Sequence, residues 1–156
     1  MSKYFVHVAV GCAIFLASAF AAFYEGSALA DNSWEWSYST PITSLLGVDV
    51  RQASDISSFD FFYYAAKYEP AFPLIMMASI LYIVLICGFI LLRLKKRKAL
   101  LYFGIVAVLS FGAVGVLLEA SSSGSRWFVP LFIITAIVSS VYAIIAGKGL
   151  VRQAKV

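Results

Sequence analysis

The sequence predicts an all-α protein: a four-helix transmembrane bundle with both termini inside and a 46-residue ordered outer loop between the first two helices. Three observations carry this. The 156 residues are 62% hydrophobic and only 13% charged, with mean hydropathy +0.91, whereas a soluble domain carries about 25% charged residues. The apolar residues gather into four runs of bilayer-spanning length. Every acidic residue and most basic residues then fall on opposite sides of those runs. A chain with so little polar coat needs lipid as solvent, and its length suits one membrane domain over residues 1–156.

The first run, residues 4–24, follows Lys3 and stops at Glu25. The second, 71–92, is opened by Pro70 and Pro73 and closed by Arg93, Lys95, Lys96, Arg97 and Lys98. The third, 99–118, ends at Glu119 and the flexible Ser121-Ser122-Ser123-Gly124-Ser125. The fourth, 128–146, begins after Arg126-Trp127 and leaves through Gly147, Lys148 and Gly149. Each run has about 19–22 residues, enough at roughly 1.5 Å per residue to cross about 30 Å of hydrocarbon. None alternates as a barrel strand does, so helices are the only spanning structure that satisfies the backbone.

Charge sets the expected orientation. Nine bases (Lys3, the five of the 93–98 hairpin, Lys148, Arg152 and Lys155) lie on one side; Arg51, Lys67 and Arg126 lie on the other. The positive-inside rule puts the first group in the cytoplasm. The net charge of +4 therefore sits beside apolar runs, where it meets anionic lipid rather than nucleic acid. A competing reading treats Lys3, the first run and Ala28-Leu29-Ala30 as a cleaved secretory signal; the run exceeds the usual 7–15 residues and Glu25 intervenes.

Small residues recur at Ala9, Ala13, Ala17 and Ala21 in the first span, and more loosely at Gly104, Gly112 and Gly115 in the third. Such faces let helices approach closely, within the bundle or in a homo-oligomer.

The outer loop, residues 25–70, holds seven acids against Arg51 and Lys67, together with nine aromatics. Disordered linkers are poor in aromatics, so this loop is expected to be ordered. Trp34, Trp36 and Tyr38 alternate with polar residues, the period of a half-buried strand or an extended hook on the membrane surface. Residues 58–68 predict a short interfacial helix: Ser57 or Ser58 caps it, Asp60 favours its first turn, and Phe59, Phe62, Tyr63 and Ala66 form an apolar face. Trp34, Trp36, Tyr38, Phe59, Phe62 and Tyr63 are the candidate partner-binding residues, because exposed aromatic clusters mark contact sites.

Catalytic and cofactor chemistry is not legible. No charge occupies the middle third of a span, which argues against proton-coupled transport. His7 is the only histidine, far along the first span from any acid, so neither a triad nor a metal site is expected, and no cofactor. Cys12 and Cys87 form no Cys-x-x-Cys pattern and read as packing residues. A divalent ion bridging Glu25, Glu119 and loop carboxylates is a minor reading. The sequence thus predicts a non-enzymatic membrane protein that uses its outer loop to contact another membrane or envelope protein. The alternative is a small oligomeric transporter or channel for a neutral or lipid-like substrate, with a cavity lined by Ser79, Ser110 and Ser139.

The stretch Tyr24-Glu25-Gly26-Ser27-Ala28-Leu29, then Asp31 to Pro41 (Asp-Asn-Ser-Trp-Glu-Trp-Ser-Tyr-Ser-Thr-Pro), and the segment from Asp60 to Pro73 resemble an uncharacterised family of small membrane proteins from Bacillus and relatives. The likeness covers the first two spans and the loop between them. It implies a location in a Gram-positive cytoplasmic membrane and importance of the aromatic loop, with no activity or ligand assigned.

Overall fold

Helix is the only regular structure among the described residues of the computed structural model, which are 2–119, 122 and 124–153. Ser121, Ser123 and Lys155, used in the sequence reading, lie outside them. Seven α-helices follow in order: α1 Ser2–Gly26, α2 Trp36–Ser39, α3 Pro41–Leu45, α4 Ser58–Tyr68, α5 Ala71–Leu94, α6 Lys96–Glu119 and α7 Phe128–Gln153. Short 3-10 turns at Ser27–Asp31, Ser33–Glu35, Ala53–Asp55 and Gly124–Trp127 join them.

Four of these helices, α1, α5, α6 and α7, are long and apolar enough to cross a bilayer. They match the four runs of the sequence; α1 and α6 extend a little beyond theirs at both ends, and α5 and α7 only at the C-terminal end. Pro70 caps α5 and Pro73 sits in its first turn, where a missing N–H costs no hydrogen bond. Lys95 alone separates α5 from α6. Its N–H bonds back to the Leu91 carbonyl (2.7 Å) while its own carbonyl accepts from Ala99 (3.0 Å), so one residue ends one helix and starts the next.

The four long helices do not close into a symmetric bundle. α1 packs along α5, α6 packs along α7, and the two pairs meet chiefly through α5 and α6. The best-filled core lies where three of them converge near the basic hairpin. Ala99, Phe103 and Ala146 are fully buried there, ringed by Phe89, Tyr102 and Tyr142. Phe89 meets Tyr142 edge-on at 4.6 Å, and Tyr142 stacks on Phe103 at 5.5 Å, arrangements that add about 0.5–1.5 kcal/mol per pair beyond area burial.

The small-residue stripe takes an unexpected place. Ala9, Ala13 and Ala17 are exposed and Ala21 is half-buried; α1 instead turns Gly11, Ser18 and Ala22 inward. Gly112 and Gly115 are likewise exposed on α6. Apart from Ala21, these residues are therefore left uncovered by the chain's own helices, which leaves the homo-oligomer reading of the stripe open.

Candidate functional site

The connection between α1 and α5 folds into a lid across one end of the long helices. It begins where Gly26 ends α1. A methyl group there would overlap the Phe61 carbonyl oxygen, so only glycine lets the α4 backbone press onto the α1 terminus. Phe23 adds an edge-on contact to Phe61 at 5.4 Å. Gly124, in the turn before α7, makes a second such approach to the carbonyls of Ala66 and Lys67. Two glycines from opposite ends of the chain therefore hold α4.

Two polar locks fasten the rest of the lid to α4. Pro41 opens α3 without an N–H, so the first free donors are Ile42 and Thr43. Asp60, 0% exposed, takes both: Oδ1 accepts from Ile42 (2.8 Å), and Oδ2 accepts from the Thr43 amide (2.9 Å) and also from its hydroxyl. The same Thr43 Oγ1 accepts from the Ser57 amide at 2.8 Å, just before α4 starts. In the second lock, Lys67 Nζ donates to Glu35 Oε2 (2.9 Å) and to Ser39 Oγ (3.0 Å), and Ser39 donates to the same carboxylate oxygen (2.6 Å). Hydrogen bonds from Ser39, then Tyr68 and Lys67, hold Glu35 down to about 2. Burial pulls Lys67 down, but its bonds to Tyr68 and Glu35 outweigh this and leave its pKa raised. A serine beside a lysine resembles a nucleophile and base, yet a lysine held protonated cannot take the Ser39 proton, and Ser39 is fully buried. The trio is a structural clamp.

Neither the strand nor the extended hook expected at Trp34–Ser39 is formed. Residues Ser33–Glu35 make a 3-10 turn that runs into α2. In a helical register, residues four apart share a face. Glu35 and Ser39 therefore point together at Lys67, while Trp34 and Tyr38 point together outward, 87% and 74% exposed. Trp36 faces inward and donates its indole N–H to the carbonyl of buried Leu29 at 2.9 Å. It is an anchor, and of the three alternating rings Trp34 and Tyr38 are the open ones.

The helix expected at 58–68 is present with these bounds, and Ser57 caps it by accepting from the Phe59 amide. Its apolar face exists but is not filled. Phe59, Phe62 and Tyr63 border a cavity of about 470 Å³ whose other wall includes Phe15 and Ala19 of α1 and Ile80 of α5. Tyr63, Ala66 and Lys67 border a second cavity of about 470 Å³ against α5, α6 and α7. The face read as the helix's packing surface borders these spaces, with Phe62 also meeting Phe23; the fully buried residues of the helix, Asp60 and Ala65, lie on other faces.

Several sequence candidates are not brought together. Ser79, Ser110 and Ser139 are buried, Ser79 spends its hydroxyl on the Ile75 carbonyl (2.8 Å), and none of the three lines either cavity. No three acidic, histidine or cysteine side chains converge among the described residues, so the calcium bridge of Glu25, Glu119 and loop carboxylates does not assemble. His7 pairs with the Tyr82 hydroxyl, Nδ1 to oxygen 2.7 Å. Cys12 and Cys87 are free thiols. Asp60, Thr43, Gly26 and Gly124 were missed by sequence reasoning. The one local signal was Pro41, which announces a helix start in want of a cap.

The fold and the lid together define an all-helical protein with four helices long and apolar enough to cross a membrane and a polar-locked cap over one end. Residues 5–92 match the family described as Domain of unknown function (DUF4306), more than half of the chain, and the chain belongs to that family. It is also 33% identical over 102 residues to the uncharacterized protein YjdJ of Bacillus subtilis (strain 168), a match covering 63% of this chain and 94% of the relative. No solved structure matches the chain. The family match stops within α5, so α6 and α7 lie beyond it.

Proposed function

We propose that this is a non-enzymatic multi-pass protein of the bacterial cytoplasmic membrane whose lid faces outward and docks another membrane or envelope protein. The orientation rests on the bases of the Arg93–Lys98 hairpin, which the positive-inside rule assigns to the cytoplasm. One observation carries the docking role. Trp34 and Tyr38 stand bare and side by side on a lid whose own backbone is held by Asp60, Lys67 and the Trp36 anchor. Rigid aromatic rings on a preorganised support lose little entropy on binding, the condition that interface hot spots favour.

The test is a photo-crosslinking side chain placed at Trp34 or Tyr38 in native membranes. A discrete protein adduct from both positions, absent when the probe sits at exposed Ser54, is the expected result. Adducts to lipid alone would end the docking reading.

A further inference from the structure

Beneath α4, the cavity of about 470 Å³ bordered by Tyr63 and Lys67 has no part in the docking surface above. Its walls come from three long helices: Met77 of α5, Ala113 and Leu117 of α6, and Phe132 of α7. They are carbon almost throughout. The lining residues with polar side chains, Lys67, Ser122 and Ser125, all lie at the end formed by the lid and the α6–α7 turn, and their polar atoms are bonded to neighbouring groups. A space with that gradient, set among helices of membrane-spanning length, matches an amphiphile whose tail lies along the spans.

The volume chooses between a lipid tail and a polypeptide. A helix is about 10 Å across, so roughly one turn of it would exhaust the space; a single acyl tail is far thinner and fits lengthwise. Ligand pockets of about 300–1,000 Å³ with apolar walls and few polar groups bind small molecules well. The roof is also rigid, because Gly26 and Gly124 press on the α4 backbone from both sides. The space is therefore held open by the fold rather than made by a loose helix.

We propose that this cavity holds one acyl tail of a glycerophospholipid from the leaflet on the lid's side, with the head group outside the space at the end where α4 meets the α6–α7 turn. The α6–α7 hairpin, which lies beyond the family match, supplies much of the wall. The lipid site is thus a property of this chain's four-span architecture.

The full chain is reconstituted in phosphatidylglycerol–phosphatidylethanolamine vesicles with a phospholipid bearing a diazirine in its acyl tail, irradiated, and mapped by mass spectrometry. Labelling of Met77, Leu117 and Phe132 is expected to exceed that of Phe111 and Ile134, which are exposed on the outside of α6 and α7, by about tenfold, the ratio that 1.4 kcal/mol of retention gives. Ala113→Phe fills the space and is expected to remove the excess while leaving Phe111 and Ile134 labelled. Should that variant misfold, the ratio in the unaltered protein decides alone. Equal labelling at all five positions overturns the proposal, because it describes ordinary surrounding lipid. A crosslinker at Met77 in native membranes gives the complementary readout: a lipid-mass adduct supports the site, and a polypeptide adduct overturns it.

Discussion

Replacing Asp60 by Asn tests how the lid is locked. The carboxylate serves three donors: the Ile42 amide at Oδ1, and the Thr43 amide and hydroxyl at Oδ2. An amide of the same shape has one acceptor oxygen. In its better orientation that oxygen keeps Thr43, and the NH2 group faces the Ile42 N–H, donor against donor. One amide loses its partner, at about 1–3 kcal/mol, and the bonds that survive lose their charge assistance. A total of about 2–4 kcal/mol corresponds to a roughly 30- to 700-fold easier opening of α3. The assay is hydrogen–deuterium exchange on the Ile42 and Thr43 amides of the purified full chain in detergent micelles. Asp55→Asn is the control: that carboxylate also binds backbone amides, of Arg51 and Gln52, but in an exposed turn where water replaces a lost partner, so its loss is expected to cost far less. If Asp60→Asn changes exchange at Ile42 and Thr43 by no more than Asp55→Asn does, the buried carboxylate is not what holds α3.

Three other expectations follow from the same geometry. Gly26→Ala and Gly124→Ala push a methyl into backbone carbonyls and should each destabilise the protein by about 1–3 kcal/mol, whereas Gly112→Ala meets open space and should be neutral or slightly stabilising; thermal melts in micelles compare the three. Glu35 has its folded pKa lowered to about 2, so its contribution is present above the ordinary carboxylate pKa near 4.5 and is lost as pH falls from there toward 2. Because the ion pair is partly solvated, that contribution is discounted to about 1 kcal/mol; the melting temperature of the lid should fall over this window, and Glu35→Gln should flatten that fall. Membrane-impermeant thiol reagents applied to intact cells should label a cysteine placed at Ser44 and spare one placed at Lys96, and the reverse pattern would invert the proposed orientation.

What could be read beforehand was what a short window encodes. Span length, the basic hairpin, and α4 with its Ser57 cap depend on neighbours within a few residues, and they stand where the sequence put them. The alternation at Trp34–Tyr38 misled because period two and period four both fit three rings over five residues. The Glu35/Ser39 spacing was the discriminating signal, and it became meaningful only with Lys67, 32 residues further on, in place. Asp60 was read as an ornament of its own helix; its partners lie 17 and 18 residues earlier. In α1, small residues occupy several faces, so spacing could not tell which would turn to α5. The structure selects Gly11, Ser18 and Ala22 and leaves Ala9, Ala13 and Ala17 uncovered.

The grip of Gly124 on the α4 carbonyls has a consequence for how the molecule is made. A polypeptide halted after α5 already contains the whole family-matched segment and every residue of the two polar locks. It still lacks the clasp, which arrives only with the loop ahead of the last helix. The final seating of the cap thus reports that synthesis has run to the threshold of α7, and a product truncated after α5 lacks both the hold of Gly124 on α4 and the two helices that wall the space below it.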